Sequence, residues 1–195
     1  MLGHDLPLAA DEIVERDGLP VTTPERTAVD VASVETPVNA IITMDSLLRR
    51  WAGSGIGRSE SQLRLAAAAD RWPRRHHRRI HRAIAFADGL SETAGESLSR
   101  VLLAGQGLHA ARLQFVVGDF RADFAWPEYR TLGEFDGRLK YTDPRVLWAE
   151  KLREDALRDA GWELVRWTWA QITSDPSLVA ARLRTAFARG LRRAS

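Results

Sequence analysis

The sequence predicts an α/β chain of the α+β kind. A mostly helical region covers residues 1–88, and a mixed β-sheet flanked by helices covers residues 89–195, ending in an amphipathic helix. Three observations predict it. In the first half, apolar residues such as Ile41, Met44, Leu47 and Leu48 recur at helical spacing. Beyond about residue 110 the period becomes that of strands, with alternation over Phe120–Trp126 and short bulky runs bounded by glycine and proline. The resulting order in the second half, α-β-β-β-α-β-α, implies a mixed sheet with helices packed against it.

Glu12–Thr22 reads as strand, turn, strand about Asp17-Gly18. Thr23 then caps a helix with Pro24 at its first position and Glu25 at its positive end. Ala28, Val29, Val31 and Ala32 form the apolar side of that helix. A second helix starts at Pro37, turns Ile41, Ile42, Met44, Leu47 and Leu48 inward, and stops at Gly53-Ser54-Gly55. A third starts at Ser59 and runs through Leu63, Leu65 and Ala66–Ala69. The segment Arg71–Arg82 holds six arginines and three of the chain's five histidines, with Ile80, Ala83, Ile84 and Ala87 as its buried side. A domain boundary is expected near Asp88-Gly89.

Ser91 is expected to cap a helix through Ala104 that carries Glu96 and ends at Gly105 and Gly107. Strands follow over Leu113–Val117, Phe120–Trp126 and Arg130–Phe135, with turns at Gly118-Asp119 and Pro127-Glu128. A long helix over Pro144–Ala160 stops at Gly161. In the strand Trp162–Trp169, the residues Trp162, Trp167 and Trp169 read as core more than as base-stacking platforms. Asp175-Pro176 opens the last helix, with Leu178, Val179, Leu183, Phe187 and Leu191 on one face and Arg182, Arg184, Arg189 and Arg192 on the other.

Composition removes several functional classes. Hydrophobic residues at 45% and charged residues at 28% are those of an ordinary globular chain. No run is apolar for long enough to span a bilayer, and Met1–Glu15 lacks the pattern of a secretory signal. The absence of cysteine excludes disulfides, cysteine zinc sites and thiol catalysis, and it points to the cytoplasm. Net charge is +2, yet of 28 basic residues only Lys140 and Lys151 are lysines. A GC-rich genome accounts for the arginine bias. Lysine can shift its pKa on burial, which arginine cannot, and both lysines fall in the second half. Gly105-x-Gly107 lacks the third glycine and the preceding strand of a dinucleotide site, and no nucleophile elbow or Walker loop occurs.

The informative constellation is Arg121-Ala-Asp123-Phe-Ala-Trp126 followed by Gly133-Glu134-Phe-Asp136-Gly137. Strand side chains alternate faces, so Asp123 opposes Phe124, while Glu134 and Asp136 share a side. Two adjacent strands can thus gather three carboxylates. Their mutual repulsion resists joint ionisation, and a divalent cation relieves it. Oxygen-only ligands suit Mg²⁺ or Mn²⁺, which can polarise a phosphodiester and activate water. The plainer alternative is that these acids face water or pair with Arg121, Arg138 or Arg166.

These residues also carry a resemblance. Ser91–Trp169 resembles a bacterial family of unknown function related to the very-short-patch-repair (Vsr) endonucleases of the PD-(D/E)xK superfamily. The matching pieces are Gly95-Glu96-Ser97, Arg121-x-Asp123-Phe, Trp126-Pro127-Glu128 and Glu134-Phe-Asp136-Gly137. The likeness continues through Arg153-Glu154-x-x-Leu157 to Gly161-Trp162-x-x-Val165-Arg166-x-x-Trp169. The resemblance implies a restriction-endonuclease-like fold and a metal-dependent DNA endonuclease in defence or repair. Asp123 and Glu134 would be the ligands of Mg²⁺ or Mn²⁺, and Glu96 the helix acid that completes the site. The third motif position, lysine in the superfamily and histidine in Vsr enzymes, is Asp136 here. The second Vsr histidine, five residues on, is replaced by Tyr141, and the neighbouring Lys140 could stand in for the missing lysine.

The first half, from Asp17-Gly18 to Asp30, is similar to the middle of actinobacterial proteins that carry this domain. Those proteins often begin with a winged-helix segment like the AbiEi antitoxins of type IV toxin–antitoxin systems, and the chain is expected to start after it. That relation gives the alternative function, a non-catalytic DNA-binding or regulatory protein. DNA contact is expected from Arg74, Arg75, Arg78, Arg79 and Arg82, with Lys151 as a further contact, because a basic cluster is the footprint of nucleic-acid binding. A solvated helix face is the bland reading of the same cluster. His76, His77 and His81 as metal ligands rank below a solvent face, since dense arginine repels a cation. No membrane partner is expected; a protein partner or a homodimer is compatible with the reading.

Overall fold

The computed structural model describes residues 7–137 and 144–194. The chain forms two compact units, Met1–Gly89 and Leu90–Ser195.

The first unit opens with the antiparallel strands β1 (Ile13–Arg16) and β2 (Leu19–Thr22). They are joined through Asp17 and Gly18, both at positive φ (50° and 76°), which is the backbone a tight primed hairpin turn requires. Four helices follow: α1 (Pro24–Val34), α2 (Pro37–Gly53), α3 (Arg58–Asp70) and α4 (Arg74–Phe86). The first two begin alike, with Thr23 and Thr36 accepting the N–H of Arg26 and Asn39, and proline in the first helical turn. Val29, Met44, Leu65, Ile80 and Ile84 fill the space between the helices. Arg26 is buried there, bonded to Glu12 at 2.8 Å and Asp30 at 2.6 Å, with its guanidinium 5.3 Å from the Trp72 ring centroid. A buried arginine is tolerable only when paired in this way.

The second unit begins with α5 (Ala94–Gly105). Strands β3 (Arg112–Val117), β4 (Phe120–Trp126) and β5 (Thr131–Asp136) follow as an antiparallel meander. Helix α6 (Pro144–Asp159) leads to β6 (Glu163–Thr168), which lies parallel to β5, so the sheet order is β3-β4-β5-β6. The short α7 (Trp169–Ser174) and the long α8 (Pro176–Ala194) complete the unit. This is the mixed sheet flanked by helices that the element order predicts. Among the described residues no helix is long and apolar enough to cross a membrane.

Trp167 anchors this layer. It is fully buried, its ring centroid lies 5.3 Å from that of Phe124, and its indole N–H donates to Ser99 Oγ of α5 at 2.8 Å. Gly133 makes room for it, because a Cβ built there would stand 2.7 Å from the indole ring. Val179, Leu183 and Phe187 of α8 are buried, with Phe187 5.3 Å from Trp126. Another cluster gathers Phe120, Ala122, Ala125, Leu132, Leu157 and Trp162. At the start of β6, Glu163 receives Arg193 at 3.0 Å and Arg189 at 3.8 Å from the end of α8.

Several local expectations are corrected. Thr93, not Ser91, caps α5, because its hydroxyl accepts the Glu96 N–H and donates to the Glu96 carboxylate; Ser91 is buried beside Arg100 instead. Helix α3 starts at Arg58 behind Gly57, one residue before Ser59. Leu63, Leu178 and Leu191 are exposed. Trp169 is 48% exposed rather than core, since β6 ends at Thr168, where Thr168 and Gln171 form the capping box that starts α7 at Trp169. Simple alternation along β4 fails at Asp123. Ala122 joins the cluster with Leu132 and Leu157, whereas Phe124 packs on Trp167.

Gly133→Ala is expected to lower the unfolding free energy by about 1–3 kcal/mol, the range for overpacking a filled core. Urea denaturation checks it, and a wild-type midpoint would show that the ring can shift without loss.

Candidate functional site

The break in β4 arises from its pairing with the neighbouring strands. Leu113 pairs with Phe124 and Phe115 with Ala122, but the ladder skips the facing residues Gln114 and Asp123. Gln114 sits at φ 50°, a left-handed backbone in the middle of a strand. A non-glycine residue held there costs on the order of 1–3 kcal/mol, and such strain concentrates at functional positions. Its side chain turns toward α5 and donates from Nε2 to Glu96 Oε2 at 3.0 Å. Its Oε1 is buried with no partner among the described residues.

On the other side, the β4–β5 ladder reaches Phe124↔Gly133 and stops. The next inward N–H of β5, that of Phe135, donates to Asp123 Oδ2 at 2.9 Å. Asp123 therefore replaces a ladder carbonyl and is fixed by the strand beside it. Burial pushes its carboxyl up to about 6, and the nearby Glu96, Glu134 and Glu92 add to the rise against the lowering effect of the Phe135 N–H.

The surrounding acids are already engaged. Glu96 is buried at 4% exposure and accepts the Glu92 N–H at 2.8 Å, the Thr93 hydroxyl at 2.8 Å and the Gln114 amide. Glu134 lies opposite Arg166 in the parallel β5–β6 register and takes its Nε at 2.6 Å. The same guanidinium reaches Glu154 of α6 at 3.3 Å. Glu92 holds Arg121 through two bonds of 3.0 Å. Asp136 is exposed at the end of β5.

The structure thus brings Glu96 and Glu134 into the electrostatic field of Asp123. Their ligand oxygens, however, are not drawn together within 4.8 Å among the described residues. Asp70, His77 and His81 do form such a group. Gln114, Glu92 and Arg166 also belong to the site. The one polar side chain in Leu113-Gln-Phe-Val-Val117 is the available signal for Gln114, and Arg166 is legible as one of three salt-bridge partners and within the Gly161–Trp169 run. Lys140 lies outside the described residues. On α4, Arg75, Arg78, Arg79 and Arg82 are all exposed, whereas the Arg74 side chain lies outside the description. Lys151 is exposed on α6, with its ammonium 5.8 Å from the Trp148 ring centroid.

Two uncharacterized proteins of Mycobacterium tuberculosis, one from strain CDC 1551 and one from strain H37Rv, are each 32% identical to this chain over 167 residues. The match covers 83% of this chain and 59% of each relative, so the chain spans about three fifths of their length. No protein-family model matches, and no solved structure matches.

Asp123→Asn tests the electrostatics. In the folded chain the carboxyl titrates near 6, above the roughly 3.9 of an unfolded chain. The folded state therefore holds this proton more tightly. That stabilisation is complete below about pH 4 and is lost as pH rises through 6. The asparagine variant, which mimics the protonated form, is expected to be more stable than wild type near pH 8 by on the order of 1 kcal/mol, with the difference shrinking toward pH 4. Urea unfolding across that range measures it, and a pH-independent difference would contradict a raised carboxyl.

Proposed function

We propose that this chain is a metal-dependent DNA endonuclease related to the Vsr-like branch of the PD-(D/E)xK enzymes, acting in defence or repair. One observation carries the reading. Asp123, on a distorted strand, is kept near 6 by burial and by three neighbouring carboxylates. A site that concentrates negative charge away from water is one that a divalent cation relieves.

The donor set is all oxygen and fits Mg²⁺ or Mn²⁺, which Asp123, Glu134 and Glu96 would hold. When bound, such an ion polarises a phosphodiester and activates water. The remaining work falls to the chain. Glu96 is fixed by three donors and anchors the α5 side. Glu134 would become available if Arg166, which already reaches Glu154 at 3.3 Å, released it. Arg166 then supplies the positive charge that Asp136, at the motif lysine position, cannot. Asp123, half-ionised near pH 6, is mostly a carboxylate at neutral pH and so available as a ligand. The exposed arginines of α4 and Lys151 would neutralise DNA phosphates.

A second reading, a non-catalytic DNA-binding or regulatory protein related to antitoxins of the AbiEi type, is favoured by one observation. Glu134 is tied to Arg166 at 2.6 Å, and the acid oxygens are not converged.

Plasmid and single-strand cleavage with Mg²⁺ or Mn²⁺, beside EDTA and Asp123→Ala controls, separates the two. Metal-dependent cutting that falls by about 100-fold or more in the variant, the scale of one lost transition-state charge contact, is the expected result. Cutting by Asp123→Ala at the wild-type rate would remove Asp123 from the site. In binding assays, Arg75→Gln, Arg78→Gln and Arg79→Gln together are expected to flatten the salt dependence by about 0.9 log units per lost phosphate contact. An unchanged slope would place the DNA elsewhere.

A further inference from the structure

We propose a transition-metal site in the first unit, formed by Asp70 at the end of α3 with His77 and His81 of α4, that binds Zn²⁺ or a cation of similar softness. It is separate from the acids around Asp123 and does not depend on the endonuclease reading.

His77 and His81 stand four residues apart, so the helix places both rings on one face; their centroids are 5.9 Å apart. Asp70 comes from the preceding helix, and its Oδ1 lies 3.6 Å from His81 Nε2. One ligand atom from each of the three residues lies within 4.8 Å of the others. Zinc bonds of about 2.0–2.1 Å place tetrahedral ligand atoms roughly 3.4 Å apart, so closure asks for side-chain movement of about 1 Å. The Asp70 and His81 side chains, 70% and 44% exposed, have room to make it.

The hydrogen bonding of His77 sets its ligating nitrogen. Its Nε2 lies 2.6 Å from the backbone carbonyl oxygen of Trp72. A carbonyl can only accept, so Nε2 carries the proton and the neutral ring presents its lone pair at Nδ1. Metal-ligating histidines characteristically make this outer contact, which fixes tautomer and ring together. His76 stands apart from the set: its Nε2 accepts from Arg75 at 2.9 Å, and its ring packs edge-on against Trp72.

Two neutral imidazoles and one carboxylate suit a borderline-soft ion, and the set is poor for Mg²⁺. The nearby arginines oppose any cation, so binding has to come from coordination and not from net charge. The helix would gain from it. Helix α4 has no side-chain cap and no acid in its first turn. Arg75 with Arg79, and Arg78 with Arg82, set like charges one turn apart, which destabilises a helix. A metal shared with Asp70 would staple this strained helix to the end of α3.

The test uses the full chain without a histidine tag, stripped with EDTA and dialysed. Calorimetric titration with Zn²⁺ is expected to show one ion bound per chain, and Co²⁺ is expected to develop the visible bands of a tetrahedral site. His81→Gln and Asp70→Asn should each weaken Zn²⁺ binding by about 10-fold or more, and the double variant His77→Gln/His81→Gln should abolish both the binding and the zinc-induced rise in Tm. His76→Gln, outside the set, should bind Zn²⁺ like wild type. Circular dichroism verifies folding, and the exposed Asp70→Asn carries the test if the double variant unfolds. Absence of stoichiometric Zn²⁺ binding by the wild-type chain would overturn the site, as would wild-type affinity in a folded His81→Gln or Asp70→Asn variant.

Discussion

The second unit is organised around a tryptophan that needs a missing side chain. Trp167 lies in β6, yet its indole reaches across Gly133 of β5 to Phe124 of β4 and hydrogen-bonds Ser99 of α5. One side chain thus ties three strands and a helix together while keeping its polar N–H satisfied. Burying an aromatic of this size contributes several kcal/mol, and it does so only where the neighbouring strand offers a flat surface. The same parallel register that brings Trp167 opposite Phe135 sets Arg166 opposite Glu134. The packing of the core and the pairing of the candidate site are therefore consequences of one alignment.

Asp123 occupies the place where regular pairing is interrupted on the β3 side and ends on the β5 side. Gln114 leaves the β3 ladder by taking a left-handed backbone, and Phe135 gives its N–H to a side chain instead of a strand carbonyl. Both departures spend stability in a region that simple strand pairing would have satisfied. Irregularity of this kind is maintained when the surrounding structure over-determines it. Here the fixing contacts are the Gln114–Glu96 bond, the Thr93 cap and the Glu92–Arg121 pair.

Periodicity and capping chemistry made most of the fold legible. The Thr23-Pro24 start, the Asp17-Gly18 hairpin, Phe120–Trp126 as a strand and Gly161 as a helix stop can each be read from a few adjacent residues. The misses share a physical origin. Thr93 won over Ser91 because a capping hydroxyl is chosen by its reach to the Glu96 N–H, and Trp169 left the core because Thr168 and Gln171 end the strand before it. The break at Asp123 depends on a partner strand, so no local pattern announces it. The candidate acids at 96, 123 and 134 could be named from sequence, but their occupancy by Arg166, Thr93 and Gln114 could not, since it arises from the register of residues far apart in the chain. Asp70 beside His77 and His81 was missed for the same reason.

The ion pairs at Glu163 bear on how the chain can be shortened. That carboxylate, with only 13% of its side chain exposed, receives both Arg189 and Arg193 from the final turns of α8. Removing those turns would leave a mostly enclosed negative charge at the start of the edge strand β6 without its counter-ions, a costly state. The last helical turns hold the start of β6, and the safe boundary for trimming lies beyond Arg193.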